Sequence, residues 1–265
     1  MFWGLVEGKV NIPSGDLNYI SFGEGEKNLI IIQGLNVRDI KGAGVSLAFM
    51  YKRFSRNYRV WFFDRRKVVR EGLTNWDLAE DIYFAMNELN IEKADVFGVS
   101  QGGMIAMALA LEYPDRVSKL VLGVTSSRVN EGIKRVVSRW VTCARNKDYI
   151  TINKDTFSLM YTEKYLKKYR LLMPLLVRII KPKDFYRFEV LASAILSFDC
   201  YDRLREIKCP VLVLGGEQDK ITTSEASVEI AERLNCEIHM YSEYGHAAYE
   251  EAKDFNNRVY AFLIK

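Results

Sequence analysis

Ser100 stands in the run ADVFGVSQGGM, residues 94–104, where three glycines within six residues interrupt an otherwise apolar stretch. Glycine inside regular structure costs conformational freedom, so their presence implies a backbone path that a Cβ would obstruct. The segment Gly98-Val99-Ser100-Gln101-Gly102, lying between a buried strand and a helix, has the pattern of a nucleophile elbow: a tight turn that lifts a hydroxyl above the carboxyl end of a sheet. Gly44-Val45-Ser46-Leu47-Ala48 has nearly the same spacing but follows no buried strand, so context separates the two.

A serine hydroxyl is a poor nucleophile without a base, and the base needs an acid to orient it. The chain holds two histidines, His239 and His246. His239 lies inside Glu237-Ile-His-Met-Tyr, a strand-like run in which a structural role is expected. His246 follows Tyr244-Gly245 directly after that strand, where an imidazole would reach back over the sheet. Asp219 stands just past Val211-Leu-Val-Leu, at the carboxyl end of another expected strand and between serine and histidine in chain order. Glu217 and Asp199 are the lesser candidates for the acid.

These three residues need a sheet to converge upon, and the hydrophobic pattern supplies one. Apolar runs of buried-strand type occur at Asn28–Gln33, Tyr58–Asp64, Asp95–Val99, Lys119–Val124, Val211–Leu214 and Glu237–Tyr241. Two earlier runs, Leu5–Ile12 and Leu17–Ser21, are joined by the hairpin-type turn Pro13-Ser14-Gly15-Asp16. Helical spacing marks Val45–Phe54, the segment behind a capping box at Thr74–Asp77, Met104–Leu111, a helix capped by Thr222 and Glu225, and Ala247–Leu263. Alternating strands and helices predict an α/β fold, a mostly parallel central sheet with helices on both faces and the first hairpin as an antiparallel edge.

The segment from Arg128 to Asp199 breaks this rhythm: it has helical pieces but no clear buried strand. The expected organisation is therefore a core domain of residues 1–127 and 200–265, with 128–199 inserted after the sixth strand as a helical cap. This insertion carries 15 Lys or Arg against 7 Asp or Glu, a net of +8, so the remainder of the +4 chain carries −4. A solvated helical face is the first reading of that charge, an anionic substrate or acidic carrier protein the second. Interleaved core-type residues and the lack of a recognised module argue against nucleic acid. Trp140, Phe157, Met160, Leu172, Met173, Phe188 and Leu191 are candidates for an acyl pocket, though residues at helical spacing more often pack the cap onto the body.

Composition excludes several classes. With 265 residues, 49% of them hydrophobic, the chain buries a large core. No stretch is long enough to cross a bilayer and the N-terminus lacks a leader, so a soluble, cytoplasmic protein without membrane association is expected. The four cysteines show no C-x-x-C spacing, and with two histidines there is no case for a zinc site.

The order Ser100, Asp219, His246, with GVSQGGM, CPVLVLGGEQD and YGHAAYEE as local contexts, resembles the α/β-hydrolase family, specifically its capped, esterase- and lipase-like members. The resemblance spans nearly the whole chain and is least marked in the cap. It implies a serine carboxylesterase that acts on a small-molecule ester through an acyl-enzyme, with no metal or organic cofactor. It also implies an oxyanion hole made by the backbone N–H of Gln101 and of Leu35, shaped by Gln33, Gly34, Gly98 and Gly102. The chain departs from the family pattern in having Gln33-Gly34 where His-Gly is usual, and Asp64-Arg65-Arg66-Lys67 where a glycine-rich turn is common; the latter reads as a solvated basic loop. Serine at the elbow argues against dehalogenase and epoxide hydrolase chemistry, whose members place aspartate there. Acyl transfer, thioester or carbon–carbon cleavage by the same three residues, and a non-catalytic ligand-binding protein on the same scaffold, are the alternatives.

Overall fold

A computed structural model describes residues 3–36, 38–169 and 184–265. Its organising element is an eight-stranded sheet in the order β1-β2-β4-β3-β5-β6-β7-β8. The strands are β1 (Val6–Ile12), β2 (Gly15–Phe22), β3 (Lys27–Ile32), β4 (Tyr58–Phe63), β5 (Ala94–Val99), β6 (Val117–Gly123), β7 (Val211–Gly216) and β8 (Glu237–Tyr241). β1 and β2 form the expected hairpin, β2 joins β4 antiparallel, and every other pairing is parallel.

The parallel strands are apolar on both faces because helices cover both. In β3, Ile30 and Ile32 enter one core while Leu29 and Ile31 enter the other, as the two-residue period of a strand requires. The first core is roofed by α2 (Asn75–Glu88), α3 (Gln101–Glu112) and α8 (Ser224–Leu234); the second by α1 (Gly44–Met50) and the C-terminal helices α9 (Ala248–Glu251) and α10 (Phe255–Ile264). Between β6 and β7 the chain runs through α4 (Glu131–Arg145), α5 (Tyr149–Met160), α6 (Glu163–Tyr169) and α7 (Phe185–Leu196). An antiparallel bridge pairs Arg128 with Asp199 where this segment leaves and rejoins the sheet layer. α4 buries Ile133, Val136, Val137, Trp140, Val141 and Ala144, one helical stripe, and packs it on α7.

Local chemistry sets several boundaries. Thr74 and Asp77 form the expected capping box: Asp77 N–H donates to the Thr74 hydroxyl at 3.2 Å and Thr74 N–H to the Asp77 carboxylate at 2.7 Å. The Thr222 and Glu225 cap does not form. The helix starts at Ser224 behind Thr223, which makes no side-chain cap, because the Thr222 hydroxyl is drawn to Asp219 instead. The C-terminal helix is broken at residues 252–254: extended backbone at Ala252 redirects the chain so that Phe255 is fully buried against Phe97 and Tyr241. Among the described residues no helix is long and apolar enough to cross a membrane.

The chain order doubles back at β3, whose neighbours β4 and β5 follow it on opposite sides. Ligand crevices open at such a point, outside the carboxyl ends of the strands. The register pairs Ile32 with Gly98, so the residues that follow, the 33–36 loop and the Ser100 turn, emerge side by side. The two backbones touch: a Cβ on Gly102 would collide with the carbonyl oxygens of Ile32 and Gln33, and one on Gly98 with the carbonyl of Gly102. Gly102→Ala should therefore cost about 3 kcal/mol, roughly 6–12 °C of melting temperature in a chain of this size, measurable by calorimetry. A melting temperature within 2 °C of wild type, on the same scale, would contradict this packing.

Candidate active site

Ser100 sits on the turn between β5 and α3 with φ 54° and ψ −126°, a conformation that non-glycine residues rarely adopt. Strain of this kind persists only where the surroundings over-determine it. Here Ser100 N–H donates to the Gly123 carbonyl at 2.9 Å, while the Ser100 carbonyl accepts from Gly103 N–H at 2.9 Å and the Thr125 hydroxyl at 2.6 Å. Thr125 in turn requires Gly103, because a Cβ there would lie 2.6 Å from its side chain.

The loop after β8 brings His246 to this turn, and the loop after β7 brings Asp219. His246 Nε2 lies 2.9 Å from Ser100 Oγ and His246 Nδ1 lies 2.8 Å from Asp219 Oδ2. Imidazole and carboxylate are both buried. Burial alone would raise the Asp219 pKa, but His246, the Thr222 hydroxyl and backbone N–H donors outweigh it, and the carboxyl is held below its ordinary value. Ile221 N–H and Thr222 N–H donate to Oδ1 at 2.8 and 3.0 Å, and the Thr222 hydroxyl to Oδ2 at 2.7 Å. An ionised carboxylate only accepts, so the His246 proton resides on Nδ1 and Nε2 is left to accept from Ser100. Thr222 was legible as a polar residue near a helix start; its service to Asp219 depends on how the loop folds.

The 33–36 loop lies against the elbow so closely that a Cβ on Gly34 would meet Ser100 Cβ at 3.2 Å and Oγ at 3.6 Å. Among the described residues the Leu35 and Gln101 N–H groups enter no backbone hydrogen bond outside the regular elements; Gln101 is the first residue of α3, whose leading N–H groups have no partner within the helix. The Asn36 amide donates to the Gln33 side-chain oxygen at 3.0 Å. The Gln101 side chain, 1% exposed, donates to the Leu191 carbonyl at 2.7 Å and to Asn75 Oδ1 at 3.1 Å, tying the elbow to α7 and α2.

The Asp64-Arg65-Arg66-Lys67 stretch is not a solvated basic loop. Asp64 and Arg65 are 6% and 7% exposed, because the first residues after β4 bond to the 33–36 loop and to α7, while Lys67 and Val68 beyond them are exposed. Arg65 Nη2 donates to the Gln33 carbonyl at 2.6 Å. Arg187 of α7 donates to the Arg65 carbonyl at 2.9 Å, the Arg66 carbonyl at 3.2 Å and the Asp64 carboxylate at 3.2 Å. Arg66 forks onto Asp81 at 2.7 and 2.8 Å. Burial, joined by the nearby Arg187 charge, lowers the Arg65 pKa to about 10, which leaves it a cation at neutral pH. No local pattern distinguishes these arginines from exposed ones; only their tertiary partners do.

A cavity of about 300 Å³ opens over Ser100 and His246. Trp140, Phe157, Met160 and Phe188 line it, and Trp140 and Phe188 also pack in the core, so both sequence readings apply to them. Leu191 is buried but absent from the lining, and Leu172 and Met173 lie outside the described residues. The described lining carries one carboxylate, Glu250, which accepts from the Tyr161 hydroxyl at 2.6 Å, and no lysine or arginine. The arginines of the inserted segment are largely paired: Arg128 with Glu229, Arg139 with Asp155, Arg145 with Glu189 and Arg187 with Asp64. Arg170, Arg178, Lys181 and Lys183 lie outside the described residues. His239 packs edge-on against Tyr241 in β8, and neither it, Glu217 nor Asp199 lines the cavity. Among the described residues no group of three or more His, Cys, Asp or Glu side chains is arranged to hold a metal.

Comparison with known proteins fits this geometry. A family model described as the alpha/beta hydrolase fold matches residues 39–141, the stretch that contains the elbow. The chain is 29% identical over 234 residues to a protein of Caulobacter sp. (strain K31) described as a carbamate hydrolase, RutD, covering 84% of this chain and 87% of that one. It is 28% identical over 284 residues to a 2-hydroxy-6-oxononadienedioate/2-hydroxy-6-oxononatrienedioate hydrolase of Paraburkholderia phymatum, with 96% and 94% covered. Among solved structures, the enol-lactonase from Burkholderia xenovorans LB400 superposes with a TM-score of 0.86 at 21% identity, over 97% of this chain and 100% of that one. The mostly parallel sheet with helices on both faces superposes on that structure, and the chain has the α/β-hydrolase fold.

Proposed function

We propose that the chain is a serine hydrolase that cleaves a carboxylic ester of a small or medium-sized, uncharged substrate through an acyl-enzyme. The observation that carries this reading is the unbroken hydrogen-bonded line from Asp219 to His246 to Ser100, at 2.8 and 2.9 Å, ending at the floor of a largely apolar cavity. His246 takes the Ser100 proton on Nε2 as Oγ attacks the ester carbonyl, and Asp219 stabilises the imidazolium without itself taking the proton. The N–H groups of Leu35 and Gln101 bind the oxyanion, each worth about 3 kcal/mol of transition-state stabilisation. The imidazolium protonates the departing alkoxide; His246 then deprotonates water, which attacks the acyl carbon and releases the acid. Residues 128–199 act as a cap whose Trp140, Phe157 and Met160 form the wall for the acyl group. No step requires a metal or organic cofactor.

Carbon–carbon bond hydrolysis is the second reading, favoured by the relative named for 2-hydroxy-6-oxononadienedioate. Such a dianion would meet Glu250 and no described cation in the cavity, which is why an uncharged ester is preferred. Turnover of p-nitrophenyl esters against turnover of the dienedioate separates the two, and product analysis with added alcohol separates hydrolysis from acyl transfer.

Intact-mass labelling with a fluorophosphonate should give a single adduct on the wild type and none on Ser100→Ala or His246→Ala; an unlabelled, folded wild type would refute the reading. Thr222→Val removes one of the three donors that Asp219 has besides His246 and should lower kcat roughly 3- to 10-fold with KM little changed, the scale of one ordinary net hydrogen bond of about 0.5–1.5 kcal/mol. Because the folded Asp219 pKa is depressed, the carboxylate persists as pH falls to the ordinary carboxyl range. Asp219 should thus add no ionisation to the pH profile of kcat/KM at or above the ordinary carboxyl pKa, and a carboxyl ionisation seen there would contradict it. The same depression means that Asp219 stabilises the fold above the unfolded carboxyl pKa, and that this contribution disappears as pH falls through the folded value.

A further inference from the structure

The loop that would furnish the Leu35 N–H donor turns on a glycine. Gly34 packs tightly on Ser100, where a Cβ would meet Ser100 Cβ at 3.2 Å, and a glycine between two peptide units lets either rotate more freely than another residue would. Rotation of the 34–35 unit would turn the Leu35 N–H away from the serine and present a carbonyl in its place. The histidine that the family usually carries before this glycine is Gln33 here, whose side chain is engaged with Asn36. What holds the main chain is Arg65, through its 2.6 Å bond to the Gln33 carbonyl.

Two features mark Arg65 as more than a packing residue. Its guanidinium is buried, yet Nε has no partner, so the fold tolerates an incompletely satisfied cation at this spot. Apolar residues in place of buried ions are often no less stable, so stability alone gives no reason to keep it. Its main chain is also locked from the other side: Arg187 on α7 bonds the Arg65 and Arg66 carbonyls and the Asp64 carboxylate. The inserted helical segment thus grips the loop that grips Gln33.

We propose that Arg65, locked in place by Arg187, is the positioning residue that sets the oxyanion-binding loop of this chain. This rests on the serine-hydrolase reading above. Arg65 does not touch the reacting atoms; it fixes the Gln33 carbonyl and so the path of the backbone to Leu35. Removing it should loosen binding of the oxyanion while leaving binding of the uncharged substrate intact.

The test compares an aliphatic trifluoromethyl ketone with the matching methyl ketone as inhibitors of wild type, Arg65→Met and Arg187→Met. In the first compound Ser100 Oγ bonds to the carbonyl carbon, its proton passes to His246, and the carbonyl electron pair moves onto oxygen as an oxyanion; the second binds mainly as the free ketone. In folded Arg65→Met the trifluoromethyl ketone Ki should rise about 100-fold, the scale of losing one oxyanion donor. The methyl ketone Ki should stay within about 3-fold, and kcat should fall with KM nearly constant. Arg187→Met should show the same selectivity at about 10-fold. If Arg65→Met does not fold, Arg187→Met decides alone. An unchanged ratio of the two Ki values, or a parallel rise in both, would overturn the proposal while leaving the hydrolase reading standing. A wild type that neither takes fluorophosphonate nor discriminates between the ketones would overturn that reading and this one with it.

Discussion

The close passage of two backbones at the ends of β3 and β5 is the constraint on which the rest of the site depends. Gly102 rests on the Ile32 and Gln33 carbonyls, Gly98 on the Gly102 carbonyl and Gly34 on Ser100, with no room for a Cβ at Gly98 or Gly102 and little at Gly34. Parallel pairing of β3 and β5 in the register Ile32 to Gly98 creates this contact, and the glycines permit it. The strained Ser100 backbone follows, since the chain must turn from strand to helix within one residue to avoid the neighbouring loop. Ser100 and the start of the loop facing it are thereby brought side by side by backbone geometry.

Around that contact the structure places charge in poorly solvated positions and satisfies it unevenly. Asp219 receives three donors besides the imidazole and stays a carboxylate despite burial. Arg65 keeps its charge beside the 33–36 loop with one hydrogen bond at Gln33 and an orphaned Nε. Buried charges left in such positions are characteristic of sites where geometry matters more than stability. Both lie in loops that follow strands, Asp219 bonded to His246 and Arg65 to Gln33.

The helical segment between β6 and β7 contributes in two ways. Its apolar stripe on α4 packs on α7 and roofs the cavity, and α7 sends Arg187 down to the loop after β4 while its Leu191 carbonyl receives the Gln101 amide. The segment is therefore tied by hydrogen bonds to both sides of the serine turn. A segment held this way defines the cavity's walls and stiffens its floor.

Much of this was legible in the chain. Strand periods, the glycine pattern and the positions of Asp219 and His246 just past apolar runs identify the three residues that meet, because a parallel sheet delivers all its carboxyl ends to one edge. The same local patterns mislead where distant partners compete. Thr222 has the form of a helix cap, but a buried carboxylate three residues away claims its hydroxyl. Asp64-Arg65-Arg66-Lys67 has the composition of a surface loop, but a helix some 120 residues later covers it: Arg187 is separated from Arg65 by 122 positions. Continuous helical spacing over 247–263 is cut so that Phe255 fills a gap between Phe97 and Tyr241. Periodicity and residue type, which act over a few neighbours, thus determined the sheet, the elbow and the order of its companions. Which polar groups are buried, and whom they serve, was decided only in the folded chain, because desolvation and hydrogen-bond geometry depend on contacts between residues far apart in sequence.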